Sequence, residues 1–148
     1  MGPLLACLCL RFWQAVEEAR YAANRVVDCK GLILAPGFID VQINGAFGVD
    51  FSNLTTTEED VATVAKGLLQ HGVTSFCPTL VTSTPEVYHK TISMLRPRAG
   101  SVSGAGVLGA HLEGPFMSQH KYGAHNEKLL QVPRKGFESV KEVAISSP

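Results

Sequence analysis

Between residues 34 and 112 the hydrophobic period of the chain switches four times, and this alternation limits the possible folds more than any other feature. Residues 34–45 predict a strand that closes on polar groups, Gln42 and Asn44. Thr55-Thr56-Thr57-Glu58-Glu59-Asp60 then supplies capping hydroxyls and early acids. Val61, Val64, Ala65 and Leu68 form one apolar face, so a helix is expected to run to about Gln70 and stop at Gly72. Residues 72–79 predict a second strand. Thr84-Pro85-Glu86 opens a second helix, with Val87, Thr91 and Leu95 at four-residue spacing. After a Gly/Ser-rich loop, residues 106–112 read as one buried third strand. Strand, helix, strand, helix, strand implies an α/β fold whose parallel strands are joined by helical crossovers. A third helix is expected over 137–145, where Phe137, Val140 and Val143 are suitably spaced, and another over 12–24.

Composition narrows the function. The 148 residues are 45% hydrophobic and 18% charged, ordinary for a packed domain, and thirteen basic side chains balance thirteen acidic ones. No cationic groove for nucleic acid is expected. The apolar run over 4–10 is far below the ~20 residues of a membrane span, so no membrane partner is expected. Cys7, Cys9, Cys29 and Cys77 follow neither a zinc-knuckle nor a disulfide spacing, which fits reduced thiols in a cytoplasmic protein, with Cys77 as core packing.

The chemistry concentrates at His111-Leu112-Glu113-Gly114-Pro115. Here an apolar strand ends in a carboxylate and a Gly-Pro break, and period-two geometry would place His111 and Glu113 on one face. A lone Glu at a strand end is usually just solvated. His111 reads either as a partner that orients the carboxylate or, preferably, as a hydrogen-bonded interior histidine. Gln42 and Asn44 end the first strand, where they either join Glu113 or merely hydrogen-bond a loop.

Taken with Lys121-Tyr122-Gly123-Ala124-His125-Asn126, the segments 34–45, 72–79 and 111–115 resemble the amidohydrolase superfamily, most closely its N-acetylglucosamine-6-phosphate deacetylase branch. The resemblance covers about residues 26–126. It implies an incomplete (β/α)8 barrel of about three βα units over 26–148, with the site at the carboxyl ends of the strands. Residues 1–25 depart from the family pattern, which has strands of a small β-sandwich there. The resemblance further implies one divalent cation, zinc or similar, held by Glu113, and substrate contacts from Ala124 and His125. Gln42 and Asn44 stand where many relatives carry the His-x-His pair of a second metal, so one metal is expected. The family's remaining histidine ligands and catalytic aspartate match nothing in this chain, and no catalytic residue is assigned in it. The implied substrate is a phosphorylated amino sugar, with Lys121 near enough to be considered for its phosphate. Homo-oligomers are an expectation for complete members of the family.

Two functions follow from different classes. In the first the chain is part of a deacetylase, weakly active or inactive by itself. In the second it is a catalytically silent truncated product that docks on a full-length subunit or another partner, because an open barrel exposes a strand edge. A small α/β domain of unrelated function is a third, thinner reading.

Overall fold

The computed structural model describes Asp28 and residues 30–145, so the helix expected over 12–24, and with it the divergent segment 1–25, lies outside the described residues. The chain divides after Pro36 into two units. In the first, the Asp28 carboxylate accepts the Lys30 N–H at 2.8 Å, where Lys30 and Gly31 turn the backbone through positive φ.

The second unit is α/β, with its main sheet parallel. Strand β1 (Phe38–Ile43) pairs with β4 (Val73–Leu80), and β4 pairs on its other side with β5 (Gly106–Val107) and β6 (His111–Leu112). Between β1 and β4 lie a small hairpin, β2 (Gly45–Ala46) and β3 (Val49–Asp50), and helix α1 (Glu58–Leu69). Helix α2 (Pro85–Met94) follows β4, and α3 (Phe137–Ile145) comes last. Strand β1 starts at Phe38 and not at residue 34, after Pro36, which has no N–H to give a ladder, and Gly37.

The third strand is a correction to the sequence reading. Residues 106–112 are two short strands with an interruption between them, and the cause lies in Pro78 of the central strand. Phe76 to Thr79 is three steps of β4, yet these face four steps of the partner, Val107 to His111. Across β1, the two steps from Phe76 to Pro78 face three, Asp40 to Ile43. A proline inside a sheet survives where a ladder bond is already missing, and an extra residue on the flanking strand provides that gap. Gly109, at φ +131°, turns the chain through it.

Helix α1 begins as its sequence dictates. The Thr57 hydroxyl accepts the Asp60 N–H at 3.2 Å, and Asp60 accepts the Thr57 N–H at 2.9 Å, a reciprocal cap. Hydrogen bonds from the Thr57 hydroxyl and backbone hold the Asp60 carboxyl below its ordinary 3.8. Val61, Val64, Ala65 and Leu68 then pack with Phe76 and Leu80 of β4, Tyr88 of α2, and Phe51 into one core. Val143 of α3 joins it. Phe137 does not: it is 71% exposed, with Lys141 Nζ 5.5 Å from its ring centre. Cys77, expected in the core, is half-buried, since it points to the opposite face of β4 from Phe76.

Candidate active site

The carboxyl ends of the parallel strands converge on Thr79. Its fully buried hydroxyl accepts the Ile43 N–H from β1 at 3.0 Å and lies 3.1 Å from His111 Nδ1 of β6. One step further along, the Glu113 N–H donates to Leu80 O at 3.0 Å, which prolongs the ladder past β6 and fixes the backbone that carries the carboxylate. Leu80, Thr79 and Pro78 are all buried, so the strand ends form a rigid floor.

Above that floor is an open pocket of about 580 Å3. One wall is made by Asn44, Val81, Thr82 and Glu113, and the other by the loop from Lys121 to Asn126, including Ala124 and His125. Glu113 is drawn from two sides. The Asn44 side-chain amide donates to Oε2 at 3.2 Å, and His125 Nε2 approaches Oε1 to 3.6 Å, just beyond hydrogen-bond length. The His125 side chain is 9% exposed and that of Glu113 29%, so the carboxylate opens to the pocket while the imidazole behind it is enclosed.

Of the residues singled out from sequence, Asn44, Glu113, Ala124 and His125 therefore share one mouth, and Lys121 stands at its rim. Gln42 is exposed within the register shift of β1 and does not line the pocket. His111 is tied at Nδ1 to Thr79 and does not line it either. Among the described residues no three His, Cys, Asp or Glu side chains group as a metal site requires. Among the described residues Glu113 is the one carboxylate that lines the pocket. Nor is any helix among the described residues long and apolar enough to cross a membrane.

Sequence reasoning missed Thr82 and the reason for glycine at 114. Thr82 sits in a Thr/Ser stretch that reads as the opening of α2, and nothing local marks its partner, His125, 43 residues away. The Gly-Pro break was legible as the end of a strand. What fixes glycine at 114 is space, because a Cβ there would lie 1.9 Å from the Thr82 hydroxyl. A separate cleft of about 340 Å3, between α2 and α3, is lined by Tyr88, Arg134, Lys135 and Glu142. Lys135 and Glu142 pair across it at 2.6 Å, and none of the strand-end groups reaches it.

No model of a protein family matches the chain. Individual proteins do. The chain is 62% identical over 115 residues to the N-acetylglucosamine-6-phosphate deacetylase of Rattus norvegicus, covering 77% of this chain and 28% of that protein. It is 62% identical over 116 residues to the human enzyme of the same name, covering 78% and 28%. A crystal structure of N-acetylglucosamine-6-phosphate deacetylase from Thermotoga maritima superimposes with a TM-score of 0.55 at 31% identity, over 70% of this chain and 27% of that one. The chain thus spans a little over a quarter of the length of the relatives it matches.

Proposed function

We propose that this chain, homologous to the N-acetylglucosamine-6-phosphate deacetylases over about three quarters of its length, forms one wall of a site that hydrolyses N-acetylglucosamine 6-phosphate to glucosamine 6-phosphate and acetate. The observation that carries the reading is the meeting of Asn44, Glu113 and His125 at the strand ends, on residues that lie 69 and 12 positions apart in sequence. Parallel strands with helical crossovers and a likeness to a solved deacetylase support three βα units of a (β/α)8 barrel.

In this reading Glu113 is one oxygen ligand to a single divalent cation, zinc or similar. Its Oε2 already accepts a bond from Asn44, and its Oε1 faces the pocket beside His125. The Asn44 amide turns its NH2 to the carboxylate, so it orients the ligand and is not one itself. A catalytic zinc takes about three protein ligands, and the described residues supply one, so the remainder must come from elsewhere. When bound, the metal supplies a Lewis acid and a water activated near neutral pH. The chain's own part is to bind and orient. His125 donates from Nε2 to a substrate oxygen, the backbone at Ala124 flanks the sugar, and Lys121 at the rim offers charge to the phosphate.

Two assays test this. The purified 148-residue chain should release little or no acetate, and turnover equal to that of a full-length relative would refute the incomplete-site reading. A chimera in which residues 26–126 replace the matching segment of the human enzyme should deacetylate the sugar phosphate. Asn44→Leu should cost it about 10- to 100-fold in activity, and Glu113→Gln more. An inactive but folded chimera, or one indifferent to Glu113→Gln, would sink the proposal.

One observation favours the second reading, a silent product that docks on a full-length subunit. Among the described residues strand β1 is paired on one edge only and leaves Phe38, Ile39 and Val41 exposed. Co-purification with a full-length deacetylase subunit, lost on Val41→Lys, would support it, and a monodisperse monomer would count against it.

A further inference from the structure

The turn after β4, Val81-Thr82-Ser83, is held more firmly than an exposed connection needs to be. The Val81 N–H donates to the Ser52 hydroxyl at 3.0 Å. The Val81 carbonyl accepts the Ser83 hydroxyl at 2.9 Å and the Tyr88 phenol at 3.2 Å, and that phenol oxygen accepts the Ser83 N–H at 3.2 Å. Burial raises the Tyr88 pKa, so the phenol keeps the proton with which it donates. After this bonding the N–H and the hydroxyl of Thr82 remain, and both lie against one atom. Its backbone N–H donates to His125 Nδ1 at 3.2 Å, and its hydroxyl lies 2.9 Å from the same nitrogen.

We infer that Thr82 is a positioning residue that fixes His125 with its proton on Nε2 and aims that N–H into the pocket beside Glu113. A backbone N–H can only donate, so the Nδ1 that receives it must keep its lone pair. The neutral ring then carries hydrogen at Nε2, the atom 3.6 Å from Glu113 Oε1. The Thr82 hydroxyl has one hydrogen and two neighbours, His125 Nδ1 at 2.9 Å and Met117 Sδ at 3.8 Å, and the nearer nitrogen is the stronger acceptor. Gly114 belongs to the same device, since any side chain there would displace the hydroxyl and disturb the residue next to Glu113. The consequence for catalysis rests on the deacetylase reading: an Nε2–H can donate to a substrate oxygen, whereas the other tautomer would present a lone pair there.

The tautomer itself is independent of turnover, and nuclear magnetic resonance of the full chain with isotope-labelled histidine reads it directly. The wild type should show a proton on His125 Nε2, none on Nδ1, and a scalar coupling across the hydrogen bond between the Thr82 amide nitrogen and His125 Nδ1. Thr82→Ser should retain all three signatures. Thr82→Val, which leaves the backbone donor but removes the hydroxyl, should shift the Nδ1 resonance and keep the proton on Nε2. A proton on Nδ1 in the wild type, or no coupling to Thr82, overturns the assignment even if the valine variant fails to fold. So does a folded valine variant with unchanged ring signals. An inactive chimera beside an intact coupling would instead count against the deacetylase reading and leave Thr82 its place.

Discussion

The two flanks of the central sheet are built from equally apolar sequence and end in opposite states. On the helical side, Phe76 and Leu80 of β4 are sealed under Val61 and Val64 of α1, all at 0% exposure. On β1, Phe38 is 71% exposed and Val41 66%. Hydropathy does not distinguish them. The first flank is covered by helices only a few residues away in sequence, as a βα unit provides. Among the described residues the second has one hydrogen-bonded neighbour, β4, and its apolar side chains stay exposed. A local crossover can bury one face of a strand, and the rest requires distant chain.

That contrast can be broken by mutation. Phe76→Ala should cost about 3–5 kcal/mol in denaturant unfolding, enough to unfold a domain of this size, because it opens a cavity in a sealed core. Thr91→Val should do the reverse on the same side. The Thr91 hydroxyl is buried with no hydrogen-bond partner among the described residues, so an isosteric methyl should hold or raise stability by up to about 1 kcal/mol. Thr57→Ala should lose about 1 kcal/mol through the cap of α1.

The cap also carries a pH signature. Since Asp60 has a lower pKa folded than unfolded, its contribution is complete above the ordinary 3.8 and fades as the pH falls through the lowered value. The gap in melting temperature between wild type and Asp60→Asn should be constant near neutrality and close in acid. The smallest effect is expected on β1, where Val41→Ser should stay within about 0.5 kcal/mol for the chain alone. A large loss there would mean that the flank is covered in solution and would remove the contrast.

Most elements were legible because their causes are local. Thr57, the early acids and Gly72 bracket α1, and Pro85 starts α2 at its first position. The hairpin of β2 and β3 was not legible. Phe47 takes φ +55°, which no propensity would assign to phenylalanine, and it is held there by contacts with α1. Its ring lies against Gly67, where a Cβ would come within 2.2 Å, and stacks on His71 at 6.2 Å. The site was legible in part. Asn44, Glu113, Ala124 and His125 could each be marked from motif order, and they do share a pocket. Gln42 could be marked as well, but it falls within a register shift of β1 and does not line the pocket, while His111, read preferably as a hydrogen-bonded interior histidine, is tied to Thr79.

By itself, then, the sequence determined the order of strands and helices, their caps, and the carboxylate that closes the third strand segment, since each depends on neighbours within a few positions. Only the tertiary structure decided that Pro78 would split that strand, that Asn44 and His125 would grip Glu113 from opposite sides, and that Thr82 would hold the imidazole. Those outcomes follow from register and from contacts between residues 12 to 69 positions apart, and hydrophobic period carries no record of either.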